Sequence, residues 1–384
     1  MHSSIQLSSY IRLFLYDILF YYNMVGKYRQ YRPFRPFCYN SFMCISSKIL
    51  NWYAPEDRGL PWRKTKDPYA IWVSEIMLQQ TQANTVIPYY ERFMAAFPTA
   101  KDLAQAEEEA LLKLWQGLGY YRRAKHLKAA AEIVAREGMP RDFAGLKALP
   151  GIGEYTAAAI ASIAYGEAVA AVDGNLLRIF SRLYRIDEKI DKAAGKRLIF
   201  NLANEAISRD RPGDFNQAMM DLGNKICTPT SPACGHCPIG EHCEAHKANC
   251  AEDYPKKTPK KKQKEEDVTV LLLDLGGRFF IEKRTGGLLA SMWGFPTIEG
   301  HLRPEDVMKL LAESDFVVND AKKMAAYRHI FSHRIWNVWV YYAHVESLFA
   351  AEDARIWATK EALETVYAIP SAFAPALEVI DGMD

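Results

Sequence analysis

Four cysteines carry the sharpest chemical signal: Cys227-x6-Cys234-x2-Cys237-x5-Cys243. Four thiolates within 17 residues can wrap one compact centre. Zinc sites usually pair two short Cys knuckles across a longer spacer. Here only one such knuckle is present and the ligands are nearly consecutive, which favours one [4Fe-4S] cluster held by Cys227, Cys234, Cys237 and Cys243. His236 and His242 beside them keep zinc open as an alternative. Cys38, Cys44 and Cys250 lack that spacing and read as ordinary residues. A second signal is Leu149-Pro-Gly-Ile-Gly153, lying between two helical patterns. Two glycines in a short turn let a backbone approach closely, and amides opening the next helix suit a phosphate oxygen. This is the helix–hairpin–helix pattern, a sequence-independent grip on DNA backbone through Leu149, Gly151 and Gly153. Taken alone, it could equally be a plain helix turn. At a fixed distance follows Val172-Asp173-Gly174-Asn175, an acid at the opening of another helix.

These residues need a scaffold, and the periodicity supplies one. Ile71–Arg92, Leu103–Leu118, Arg123–Glu137 and Glu154–Ala164 are apolar at helical spacing, and few stretches alternate with period two. A mostly α domain over 43–250 follows, large enough for a substantial core. Pro255–Lys264, PKKTPKKKQK, holds six lysines, two prolines and no acid. It predicts an extended, solvated linker over 251–266, with contact to phosphate as the other use of the charge. Beyond it, Val268–Leu275, the turn Gly276–Gly277 and Arg278–Lys283 read as a hairpin, Pro304–Ser314 as a helix and Ile335–His344 as a strand. The region 267–384 is therefore expected to be a second, α+β domain.

Composition narrows the class further. The 384 residues are 49% hydrophobic and 24% charged, which excludes a fibrous or wholly disordered chain. Forty-eight Lys+Arg against 46 Asp+Glu leave +2, so any nucleic-acid contact must come from local patches. Seven cysteines are too few for a secreted disulfide scaffold and point to a reducing compartment. Ile11–Tyr22 is too short to span a bilayer, carries Asp17, and is followed by no small-residue cleavage site. The expectation is a cytoplasmic, unsecreted protein without a membrane partner. Residues 1–42 read as a disordered extension or an upstream region translated from the wrong start, with Met43 the true first residue; a targeting segment is the alternative.

The LPGIG hairpin, the VDGN aspartate and the four-cysteine loop, in that order, resemble the helix–hairpin–helix DNA glycosylases with an iron–sulfur cluster. Trp72-Val-Ser-Glu-Ile-Met-Leu-Gln-Gln-Thr-Gln82 and Gly117-Leu-Gly-Tyr-Tyr-Arg-Arg123 are similar to the adenine DNA glycosylase branch in particular. The similarity runs from about Leu60 to Cys243 and resumes in the second domain. It implies removal of adenine from duplex DNA opposite 8-oxoguanine or G; a monomer is expected, since an enzyme that flips one base needs no symmetry. Physical chemistry agrees. Cleaving an N-glycosidic bond needs a proton for the leaving base and negative charge beside an oxocarbenium-like sugar, and two carboxylates in different environments supply both. Glu75 lies in an apolar helical stretch where burial would keep it protonated as the acid. By resemblance it protonates adenine and later activates water, while Asp173 stays ionised and stabilises the cation. Bifunctional relatives such as endonuclease III carry a lysine two residues after the LPGxG segment. This chain has Tyr155 there, so a monofunctional enzyme is expected.

The resemblance assigns Tyr155 and Asn175 to positioning Asp173 and the sugar. It assigns Trp62, Arg63, Gln217 and Met220 to the adenine pocket. Gln79, Gln80 and Thr81 can hydrogen-bond base edges, and Leu118 and Tyr120 can wedge and stack in the gap left by a flipped base. Packing or plain surface exposure is the alternative for each. In the second domain, Gly287-Leu-Leu-Ala-Ser-Met-Trp-Gly-Phe-Pro296 is similar to the Nudix-type domain of MutT, but no R-E-x-x-E-E box follows. The domain is therefore expected to read DNA, with Phe331, Ser332 and His333 matching the family's loop for 8-oxoguanine. Rival readings are a relative removing T opposite G, a catalytically idle lesion-binding protein and a nucleotide-pool hydrolase.

Overall fold

The computed structural model describes residues 39–53, 59–259, 262–314, 316–346 and 354–383. In chain order the helices begin with α1 (Tyr39–Tyr53), α2 (Pro68–Leu78), α3 (Ala83–Ala96), α4 (Ala100–Gln105), α5 (Glu108–Trp115) and α6 (Arg122–Glu137). There follow α7 (Phe143–Lys147), α8 (Glu154–Tyr165), α9 (Gly174–Tyr184), α10 (Ala193–Ala206), α11 (Pro212–Lys225) and α12 (Glu244–Lys247). The remainder runs β1 (Lys264–Asp274), β2 (Arg278–Lys283), β3 (Trp293–Gly294), β4 (Thr297–Glu299), α13 (Pro304–Glu313), β5 (Lys322–Ile330), β6 (Arg334–His344), β7 (Arg355–Thr359), α14 (Lys360–Thr365) and α15 (Ala374–Asp381). A helical region followed by a mixed-sheet α+β region is the fold class that the periodicity implied. No described helix is long and apolar enough to cross a membrane. Most of residues 1–42 lie outside the described residues, and α1 starts at Tyr39, four positions before Met43.

The chain forms two compact units that do not follow sequence order. Of the described residues, one joins 39–53, 141–148 and 152–259; the other joins 59–140, 149–151 and those from 262 onward. In the first unit Ile45 and Ile49 of α1, Phe180 and Leu183 of α9, Leu198 and Ile199 of α10, and Phe215 and Met219 of α11 share one core. The alanine-rich α8 buries Ala157–Ala161 completely, and Gly213 of α11 approaches it closely: a Cβ on Gly213 would stand 2.8 Å from Cα of Ile163. The stretch expected to be a solvated linker is partly tied down here. Ile190 donates to the carbonyl of Lys256, the amide of Thr258 to Asp191, and Tyr254 Oη to Asp187 at 3.0 Å.

In the second unit, α2 buries Tyr69 through Met77 without a break. The sheet has the order β3-β2-β1-β6-β5, with β4 on β1 and β7 on β2. β1 and β6 pair in parallel from Lys264↔Arg334 to Asp274↔His344, so β1 begins inside the lysine run. Val268, Val270 and Leu272 face a core with Trp336, Val338, Phe373 and Ile380. Leu271 and Leu273 face the opposite core with Val307 and Leu311 of α13. Both faces are covered, which explains why β1 reads as a continuous apolar run and not an alternating one.

Two expected helices are broken. Ile71–Arg92 becomes α2 and α3, interrupted at Gln79–Gln82, where Gln80 takes φ 64°. Leu103–Leu118 becomes α4 and α5. By contrast α6 and α8 start and stop within one residue of the expected bounds. Gly166, with φ 73°, ends α8 as a left-handed cap.

Candidate active site and cofactor loop

Asp173 is the N-cap of α9. Its Oδ1 accepts from the amide of Leu176 at 2.8 Å and its Oδ2 from Nδ2 of Asn175 at 2.9 Å. Burial raises its pKa, while the backbone amides of Leu176 and Asn175 and the Arg178 guanidinium pull it down. The plainly ionised carboxylate expected from sequence is thus a contest between desolvation and hydrogen bonds, with desolvation ahead. Asn175 Oδ1 accepts from Nη2 of Arg178 at 2.8 Å, and Arg178 Nε donates to the carbonyl of Cys227 at 2.7 Å. Asp173 is therefore joined to the cysteine loop through two side chains. Composition and spacing gave no sign of Arg178.

Two asparagines, the buried Asn216 and the half-buried Asn204, hold the strand of chain leading to Asp173, and sequence reading missed both. Asn216 accepts from the amide of Ala171 at 3.0 Å and donates to the carbonyl of Val169 and to Ser162 Oγ. Asn204 accepts from the amide of Ala170 at 2.9 Å. Gly223 of α11 lies against Asn175, where a Cβ would come within 2.5 Å of the asparagine's own Cβ. Tyr155 Oη donates to Met220 Sδ at 3.7 Å, so these two candidates meet. Gln217, 8% exposed, accepts from Tyr53 Oη at 3.3 Å.

Apart from Gly153 and the cysteine loop, which belong to the first unit, the other candidates belong to the second. Glu75 is 5% exposed within the apolar α2. Trp62 is buried in a short 3-10 turn, Pro61–Arg63, and packs edge-on against Tyr90 at 5.3 Å; Arg63 is half-buried. Gln79 and Thr81 are half-buried and Gln80 is exposed. Tyr120 is 49% exposed, as a stacking residue must be, whereas Leu118 is 5% exposed. Leu118 packs inside the fold. In the hairpin, Leu149 is likewise buried, while Gly151 and Gly153 are exposed, Gly151 at φ 75° against His126. Gly151 is the position where a side chain would both strain the turn and collide.

Phe331, Ser332 and His333 form the tip between β5 and β6. The amide of Phe331 donates to Arg334, its carbonyl accepts from Gln263 Nε2 at 2.6 Å, and its ring packs against His329 and Trp336. The exposed Ser332 and His333 lie 3.3 Å apart, Oγ to Nδ1. This tip lines a cavity of about 750 Å³ together with Gln79, Tyr120 and Gly151.

Cys227, Cys234, Cys237 and Cys243 are free and half-buried. Arg182, 2% exposed, donates to Cys227 Sγ at 3.3 Å and to the carbonyls of Thr228 and Pro229. Burial pushes the Cys237 thiol up to about 12 and the Cys243 thiol up to about 11, with neighbouring cysteine sulfurs adding to the rise. Among the described residues no three histidine, cysteine or carboxylate side chains stand together at metal-binding distance. The fit to a cluster rests on donor type, spacing, and a guanidinium placed to balance thiolate charge.

Comparison with known proteins agrees with this reading. Residues 73–203 match the HhH-GPD superfamily of base excision DNA repair proteins, 227–243 the iron–sulfur binding domain of endonuclease III, and 268–379 the NUDIX domain. The fold and site thus define a helix–hairpin–helix repair protein carrying a [4Fe-4S] loop and a Nudix-like domain. An adenine DNA glycosylase of Schizosaccharomyces pombe is 34% identical over 83% of this chain and 85% of its own. One from Buchnera aphidicola subsp. Acyrthosiphon pisum is 32% identical over 82% and 91%. The chain belongs to the adenine DNA glycosylase family. It spans about half (48%) of the Arabidopsis thaliana adenine DNA glycosylase, which is 39% identical over 68% of this chain.

Proposed function

We propose that this protein is a monofunctional base-excision enzyme that removes adenine mispaired with 8-oxoguanine or G and leaves an abasic site. The observation that carries it is the difference between two carboxylates: Glu75 buried in an apolar helix, Asp173 held at a helix N-terminus by two hydrogen bonds. Environments that differ in this way separate an acid from a charge stabiliser. Glu75 donates its proton to the leaving adenine, which departs with the electrons of the glycosidic bond. Asp173 balances the positive sugar, and Glu75, now a base, takes a proton from the water that adds to it. Asn175 and Tyr155 position Asp173 and the sugar. Trp62, Arg63, Gln217 and Met220 form the adenine pocket.

Tyr155 offers no amine, so no Schiff base forms and the strand is left intact at the abasic site. Duplex DNA is the partner, gripped through the Leu149–Gly153 hairpin, and the protein acts as a cytoplasmic monomer without a membrane partner. The tip Phe331–Ser332–His333 reads the base opposite adenine by intercalation and hydrogen bonding. Its sharing of a cavity with Gln79 and Tyr120 supports that role. The domains proposed are 43–250 for catalysis, 251–266 as connector and 267–384 as reader.

The test is adenine release from a duplex with A opposite 8-oxoguanine, with and without alkali, beside A·G, T·G and A·T duplexes. Cleavage only after alkali, on A·8-oxoguanine and A·G, is expected. Product from T·G would move the assignment to a thymine-removing relative, and cleavage without alkali would overturn the monofunctional part. Binding without any product would make the protein an idle lesion binder.

A further inference from the structure

Arg123, at the start of α6, has no role in the chemistry above, yet its guanidinium joins two of the segments proposed to meet DNA. Nη1 donates to the carbonyls of Ile76 at 2.8 Å, Met77 at 3.2 Å and Gln79. Nη2 donates to the carbonyls of Leu118 at 3.0 Å and Gly119 at 3.1 Å. One planar cation thus satisfies the open carbonyl end of α2 and the turn before α6 together. The guanidinium also stands 5.4 Å from the ring of Tyr120 and 5.5 Å from that of Trp115.

Each joined segment holds a non-glycine residue in the left-handed region: Gln80 at φ 64° and Tyr120 at φ 50°. Side chains rarely adopt that conformation, and it persists where surrounding bonds over-determine it. Both residues are exposed, and Gln79, Gly119, Tyr120 and Arg123 line one cavity with Phe331. Among the described residues the buried Nε–H of Arg123 has no partner, and the hydrogen bonds of the fork go to the two loops.

We propose that Arg123 is a positioning residue that fixes the Gln79–Thr81 loop and the Tyr120 ring in register, so that both address the same base pair as adenine leaves the stack. The inference rests on the proposed glycosylase reading. It requires a planar fork, because two loops must be held by donors that diverge in one plane; lysine supplies charge without that geometry.

The test uses the full chain with its cluster, as wild type, Arg123→Lys and Arg123→Met. Two substrates are used: a duplex with 2-aminopurine, a fluorescent adenine analogue, opposite 8-oxoguanine, whose fluorescence rise on binding reads extrusion of the base, and a duplex with A opposite 8-oxoguanine, which reads adenine release. Active-site titration and the cluster's visible absorption correct for folded fraction. Arg123→Lys should keep wild-type melting and binding to undamaged duplex. Its flipping signal and single-turnover adenine release should fall about a hundredfold, the loss expected from an ångström-scale misplacement. Arg123→Met should lose flipping at least as far, and the lysine variant keeps the question open to test if methionine prevents folding. Wild-type flipping in Arg123→Lys, or a loss explained wholly by folded fraction, overturns the proposal. A wild-type protein giving neither fluorescence rise nor adenine sinks the glycosylase reading instead.

Discussion

At the scale of single residues, the two carboxylates make separable demands. Glu75→Gln removes the transferable proton at nearly constant shape, so adenine release should fall about 10²–10⁴-fold while lesion-duplex affinity persists. Equal losses in binding and release would contradict the acid assignment. Asp173→Asn is informative for a different reason. Asparagine caps helices as well as aspartate, so unfolding free energy should change by less than about 1 kcal/mol. Loss of charge beside the sugar should lower release by about 10²–10³-fold. Folding raises the Asp173 pKa above its ordinary 3.8, chiefly by burial, so the native state holds the proton more tightly than the unfolded chain does. Its stabilising effect is full below 3.8 and is lost as pH rises through the raised native value. Wild type should therefore lose stability relative to Asp173→Asn across that window in urea titrations, while single-turnover release, which needs the carboxylate, gains. These two carboxylates were legible from their motifs. Asn204, Asn216 and Arg178 were not, because their partners lie 34, 45 and 49 positions away.

Among elements, the close contacts of α11 matter most. Gly223→Ala would drive a Cβ into Asn175, whose amide holds Asp173. Overpacking of this kind costs about 1–3 kcal/mol, and adenine release should fall more than duplex affinity does. An unchanged rate would mean that Asn175 does not set the aspartate. The helices α6 and α8 were readable because each carries its own start, stop and apolar stripe. The break between α2 and α3 was not, since nothing in Gln79–Gln82 forbids a helix. The chain turns there where the last carbonyls of α2 are taken by Arg123, 44 to 47 residues on.

Across the whole molecule, α5 holds the sheet of its own unit. Glu109 accepts from Lys283 Nζ at 2.5 Å and Trp293 Nε1 at 3.2 Å, Lys113 donates to the carbonyls of Leu363 and Tyr367, and Gln116 donates to that of Ile369. Glu109→Ala should cost little stability, as partly exposed ion pairs contribute about 0–1 kcal/mol. It should reduce the preference for A·8-oxoguanine over A·G by loosening the reader, and an unaltered ratio would sever that link. Cys237→Ser should abolish the visible absorption of the cluster and lower adenine release through the Cys227–Arg178–Asn175 path, beyond any loss of folded protein. By itself the sequence determined what depends on residue type and short spacing: four thiols for one cluster, glycines for a hairpin, an acid at a helix start, apolar periods for a helical region before a sheet. Tertiary structure alone decided which groups are exposed, burying Leu118 and Leu149 and leaving Tyr120 out. It also decided where helices break, and that the compact units cut across chain order. Those outcomes turn on hydrogen bonds and packing between residues tens of positions apart, which no local pattern encodes.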